Sequence, residues 1–63
     1  MDWAAKIKQL RNKLLLTQTE FGDLLGVSFG TVNRWEMGYH EPTMKIKRKI
    51  KEMIIENELE GVN

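Results

Sequence analysis

The sequence predicts a compact all-α domain of four helices, with a fifth as the alternative. Three observations carry this. Apolar residues recur at helical spacing near both ends of the chain, and no segment alternates apolar and polar as a half-buried strand does. Cap and stop residues divide the chain into helix-length pieces: Asp2, Thr17 and Ser28 as starts, Gly26 and Gly38 as ends, Pro42 as a break. At 63 residues there is room for one domain, taken as 1–63. A chain of this size buries only about 60% of the surface its unfolded form exposes, so modest stability is expected.

Helix 1 is read over 2–14. Asp2 caps it, because a carboxylate accepts from the free N–H groups at a helix start. Trp3, Ile7, Leu10 and Leu14 follow on one stripe. Arg11 borders that stripe. Leu15 and Leu16 are a connection, with Leu16 turned inward.

Helix 2 opens on Thr17-x-x-Glu20, a capping box in which hydroxyl and carboxylate each accept a backbone N–H. Leu16 and Phe21 sit where a hydrophobic staple would clamp this start. Phe21, Leu24 and Leu25 are expected to be its buried face. Gly22 inside so short a helix costs about 1 kcal/mol against alanine, which a closely packed neighbour would explain. Gly26 ends the helix at positive φ. Ser28 caps helix 3, read over 28–37, and Val27 with Val32 repeats the staple spacing. Gly38 follows its last turn. Two capped helices separated by about three residues, one a glycine, form a helix-turn-helix over 17–38. Helix 4 starts at Glu41-Pro42-Thr43 and buries Ile46, Ile50, Met53 and Ile54. It is expected to reach about Glu58, with Glu60 to Asn63 frayed.

Composition excludes several classes. There is no cysteine, hence no disulfide framework, and the single His40 cannot build a metal site alone. No cofactor is expected. The start MDWAAKIKQL lacks the apolar core of a signal peptide. No apolar run approaches the ~20 residues of a membrane span, so the expected location is the cytoplasm, with the nucleoid. Net charge is only +1, but its distribution is uneven: residues 1–51 carry +5 and residues 52–63 carry −4. A basic body with an acidic tail suits a polyanion-binding surface that leaves the tail out. The plainer reading is a solvated helix face.

On helix 3, with Val32 facing the core, Trp35 and Glu36 fall on or beside the buried side. Gly30, Arg34 and Met37 face outward, flanked by Thr31 and Asn33. The outward set is small, polar and cationic. The helix N-terminus adds free N–H groups that favour phosphate. In a helix-turn-helix this end of the second helix enters the major groove of double-stranded DNA.

Each residue has two readings. Arg34 donates to guanine O6 and N7, or is a solvated arginine. Phe29 packs on a thymine methyl, or folds back on helix 2. Gly30 permits close approach of backbone to DNA, or is a tolerated first-turn glycine. Thr31 and Asn33 bond phosphate or a base edge, or are wetted surface. Ser28 is a cap first and a DNA contact second. Gln18 bonds a phosphate, or is a solvated first-turn residue. Lys45, Lys47, Arg48, Lys49 and Lys51 crowd the start of helix 4, against its dipole. Phosphate contact, strongest for Lys45, Lys47 and Arg48, is a reason for them to be there.

The series Gln18, Phe21, Gly22, Leu25, Gly26, Val27, Ser28, Val32, Trp35, Glu36, Gly38 and Pro42, preceded by Ile7-Lys8-Gln9-Leu10-Arg11, resembles the lambda-repressor-like (Cro/cI-type, XRE-type) helix-turn-helix family. The match covers about Ile7 to Ile50. The resemblance implies a four- or five-helix DNA-binding domain, often dimeric on palindromic sites. It implies base contact at Ser28, Phe29, Gly30 and Arg34, and phosphate contact at Gln18 and Thr31. It also implies an Arg11–Glu36 pair tying helix 1 to helix 3, which moves Glu36 out of the reading set. Three departures stand out. Leu15 occupies a position where the family often has glycine, so the end of helix 1 is expected to differ. Gly22 replaces the family's usual alanine, a change expected to be harmless for packing. A separate fifth helix, often part of the dimer contact, is missing or merged into helix 4.

The function expected is sequence-specific binding of double-stranded DNA by a small bacterial or phage transcriptional regulator, with a homodimer as a further partner. No membrane and no small-molecule ligand is implied. The alternative is a protein-interaction or antitoxin-like adaptor subunit with weak DNA binding, motivated by the apolar Ile54, Ile55, Leu59 and Val62. An enzyme is not expected: no carboxylate pair, nucleophile–base set or phosphate loop is in evidence, and so short a chain lacks room for a deep cleft.

Overall fold

The computed structural model of the chain describes residues 2–62, and for residues 59–62 the backbone alone. Four helices follow in order: α1 (Trp3–Lys13), α2 (Gln18–Leu25), α3 (Phe29–Met37) and α4 (Met44–Val62). Ile7, Leu10, Phe21, Leu25, Val32, Trp35 and Ile50 form the core, with Ile7, Phe21, Val32 and Ile50 fully buried. α3 lies against both α1 and α2, and α4 closes the far side of α1.

The helix starts are built by their caps. Asp2 accepts from Ala5 N–H at 3.3 Å. Thr17 and Glu20 form the reciprocal box, Glu20 N–H to Thr17 Oγ1 at 3.1 Å and Thr17 N–H to Glu20 Oε1 at 2.9 Å. Ser28 Oγ accepts from Thr31 N–H at 3.2 Å.

The helix ends share one device. After α1, α2 and α3 alike, a backbone N–H bonds five residues back: Leu16 to Arg11 O, Val27 to Gly22 O, Tyr39 to Arg34 O. This motif needs one residue in the left-handed conformation. Gly26 (φ 72°) and Gly38 (φ 82°) supply it after α2 and α3, but after α1 the residue is Leu15, at φ 59°. The end of helix 1 therefore keeps the glycine geometry with a leucine in it. Its side chain is 89% exposed, so little packing offsets the strain. An L-residue in this conformation costs about 1–2 kcal/mol, and glycine gives back about 0.5–1 kcal/mol through its freer unfolded state. Leu15→Gly is thus expected to stabilise the domain by about 0.5–1 kcal/mol, read as a melting point several degrees higher. A lower melting point would mean that the left-handed conformation costs Leu15 less than the unfolded-state entropy that glycine adds.

Further sequence expectations change. Leu24 is 54% exposed instead of buried. The buried face of α2 is Phe21, Gly22 and Leu25, which centres it on the Gly22 side and turns Leu24 about a quarter-turn away. Gly22 is also not interchangeable with alanine here. A Cβ on it would stand 2.6 Å from the Val27 carbonyl oxygen, so the turn into α3 passes directly over the glycine. Alanine would require that turn to move.

α4 continues as one helix to Val62, beyond the expected Glu58, and no separate fifth helix occurs among the described residues. Ile50 is buried, and Ile46, Met53 and Ile54 pack around it. The apolar side chains of Leu59 and Val62, and the end of the chain at Asn63, lie outside what is described. Among the described residues no helix is long and apolar enough to cross a membrane.

Candidate nucleic-acid interface

α3 divides its residues sharply. Val32 and Trp35 are buried in the core, while Phe29, Asn33, Arg34 and Met37 are exposed. Phe29 is 55% exposed and so does not fold back into α2. Ser28 is the cap, and its hydroxyl also pairs with Thr31 Oγ1 at 3.1 Å. Gly30 has room: a Cβ there would meet Arg34 Nη1 at 3.7 Å and Ser28 Oγ at 3.8 Å, ordinary contact distances. The Arg34 guanidinium therefore lies along the first turn of α3, over Gly30, at the end of the helix whose N–H groups are least satisfied.

Behind this face lies a polar network that anchors α3 to the rest of the fold. Arg11 grips Glu36 with two parallel bonds, Nε to Oε2 at 2.6 Å and Nη2 to Oε1 at 3.0 Å. Its Nη1 donates to Leu16 O at 2.9 Å, fixing the α1–α2 connection as well. The side chains are 15% and 6% exposed, so the pair is largely removed from water. Burial pushes the Glu36 carboxyl up. Hydrogen bonds from Arg11 and Gln18, with the charges of Arg11 and Lys8, outweigh that and hold it below the ordinary carboxylate value. The hydrogen bond to Glu36 raises Arg11 in turn.

Gln18 joins the same network. Its Nε2 donates to Glu36 Oε1 at 3.1 Å and to Asn33 Oδ1 at 3.4 Å. A primary amide has two hydrogens, and both are used here. A phosphate contact from this side chain would have to displace one of them. The family resemblance implies the Arg11–Glu36 pair, and the structure forms it, with Gln18 as an unforeseen third member. The available signal was position: the first residue of α2 faces the last turn of α3 once the turn is tight.

The basic start of α4 is split. Lys47 is engaged, 2.7 Å from Glu41 and 5.3 Å from the centroid of the Trp3 ring. Lys45 and Arg48 are exposed and form no ion pair among the described residues. Between α3 and the loop leading to α4 runs an open groove, with Thr31 and Arg34 on one wall and His40 and Thr43 on the other. Thr31 and Arg34 thus share a surface with the loop that carries the chain into the basic stretch.

A capped helix pair with a glycine turn, a polar and cationic outward face and a buried tie behind it defines a DNA-binding helix-turn-helix domain. The family model described as helix-turn-helix matches residues 7–52, and the chain belongs to that family, the lambda-repressor-like helix-turn-helix domains. The chain is also similar to a type II methyltransferase, M.SsoII, of Shigella sonnei, at 51% identity over 43 residues. That stretch is 64% of this chain but 11% of the methyltransferase, so the chain spans only a small part of that relative's length. No solved structure matches it.

Proposed function

We propose that the chain binds double-stranded DNA sequence-specifically, as a small bacterial or phage transcriptional regulator with α3 in the major groove. The observation that carries this is the division of α3. Its core side is locked by Val32, Trp35 and the Arg11–Glu36 pair, while Phe29, Asn33 and Arg34 are exposed around Gly30 at its open end. Ser28, Phe29, Gly30, Asn33 and Arg34 are the residues assigned to bases. Thr31, Lys45 and Arg48 are assigned to phosphates, with Lys47 joining them if Glu41 releases it. Gln18 belongs beside them by position, through the free N–H groups at the start of α2. The reading is of a binding module, not a catalyst, and the likeness to a methyltransferase is confined to a short stretch of it. Selection of bound duplexes from a random pool tests the proposal. Enrichment of a defined motif is expected, and a pool that stays random after repeated rounds contradicts it.

Gly30 gives a separate test. Gly30→Ala meets only ordinary contacts in the free protein, so its melting point is expected to hold or rise. If backbone approaches DNA there, the added methyl overpacks the interface by about 1–3 kcal/mol, read as a fall in affinity of about five- to 150-fold. Unchanged affinity would remove Gly30 from the interface.

The adaptor reading draws on Leu24, Met37, Tyr39 and Met44, all more than half exposed. Such surface suits a second copy or another protein. Sedimentation with and without duplex DNA separates the two: a strict monomer without sequence preference favours the adaptor.

A further inference from the structure

The polar network does more than brace the fold: it has a direction. Arg11 can only donate, and the ionised Glu36 can only accept. Gln18 must therefore present its amide N–H₂ side to Glu36, as it does at 3.1 Å. The second hydrogen of that amide points to Asn33 and requires an acceptor there, which is Asn33 Oδ1 at 3.4 Å. This leaves Asn33 Nδ2, on an exposed residue of the outward face, with no partner among the described residues. The order of donors and acceptors thus runs from the buried pair to the surface without a free choice at any step.

We infer that Gln18 is a positioning residue that fixes the amide of Asn33, so that α3 offers the major groove a hydrogen-bond donor at that point. The inference rests on the DNA-binding reading above. A donor recognises guanine O6 or N7, adenine N7 or thymine O4, and finds nothing to bond on a cytosine edge, which carries the N4 donor. Oδ1 accepts from Gln18 and keeps a second lone pair, so the outward Nδ2 leads the contact and the two-bond adenine contact stays available. The atom of Gln18 left over is Oε1, an acceptor, which a phosphate oxygen does not bond. In this arrangement the Gln18 side chain serves the base reading and not the backbone.

The test is selection from random duplexes with the wild type, Asn33→Asp and Gln18→Met, with affinity for the selected site measured against salt. Asn33→Asp still accepts from Gln18 but presents an acceptor outward, so one position of the motif is expected to change to cytosine or adenine, whose exocyclic amines donate. Gln18→Met keeps the volume and removes the relay. At the same position the preference over cytosine is expected to fall about fivefold, the worth of one net hydrogen bond, with the other positions unchanged. A uniform loss of affinity with an unaltered motif would overturn the inference, since a merely structural role moves all positions alike. The salt slope of Gln18→Met is expected to match that of the wild type, since a neutral side chain displaces no condensed counterion; a changed slope would mean that the charged contacts had moved and would also overturn the inference. A wild type that selects no motif would sink the DNA reading itself. A motif that is selected but does not respond to either variant would sink the relay alone.

Discussion

Replacing Glu36 by alanine is expected to cost about 3–5 kcal/mol of stability, because it strands the Arg11 guanidinium in a site largely closed to water. The carboxylate takes three hydrogen bonds, two from Arg11 and one from Gln18, and is 6% exposed. A domain of this length holds about 3–9 kcal/mol in all, so the variant should be substantially unfolded near 37 °C. Circular dichroism on heating is the check. Arg11→Ala should cost a similar amount and also release the Leu16 carbonyl. A melting point within a few degrees of the wild type would mean the pair is solvated and contributes little.

The same pair gives the domain an acid limit. The folded Glu36 carboxyl lies below its ordinary value, so the unfolded chain takes up this proton first as pH falls. The contribution is fully present above the unfolded carboxylate value of about 4.3. It is lost progressively as pH drops below that and through the lower folded value. Arg11 is shifted upward, so its own contribution is complete throughout this range and falls away only above its already high ordinary value. Glu36→Gln should therefore be less stable at neutral pH and show a flatter acid limb.

Arg34→Ala is expected to lose about 1–3 kcal/mol of binding to the selected site, roughly a five- to 150-fold weaker affinity, and to relax one base position. The guanidinium reaches over Gly30, is exposed, and forms no ion pair among the described residues. Its removal should leave the melting point almost unchanged, which separates loss of reading from loss of fold. Equal affinity of variant and wild type for the selected site would take Arg34 out of the reading set.

Helix boundaries were legible because their signals are local. Thr17 with Glu20, Ser28, Gly26 and Gly38 each act within one turn of chain, and their bonds form where the residue types place them. The core stripe of α1 and the inward Val32 and Trp35 follow from periodicity alone. Leu24 was misplaced because the buried face of an eight-residue helix is set by its neighbour as much as by its own pattern. Gly22 was undervalued for a related reason: the Val27 carbonyl above it belongs to the next turn, and no periodicity reports that distance. Leu15 was noticed as a departure, but the backbone overrode the residue, since the bonds closing α1 hold the left-handed conformation whichever side chain occupies it. In the candidate interface, the outward residues of α3 could be read from spacing. The link from Gln18 to Asn33 could not, because it depends on how α2 and α3 cross. The engagement of Lys47 with Glu41 and Trp3 likewise joins three segments that sequence treats separately.

Titrating the isotope-labelled chain with its selected duplex, followed by NMR, tests the central claim most directly. The backbone amides of Ser28 to Thr31 and the side-chain amide of Asn33 are expected to shift most, with smaller shifts at Lys45 and Arg48 and little change on α1. Shifts gathered instead on Ile54, Ile55 and the second half of α4, with α3 silent, would contradict it.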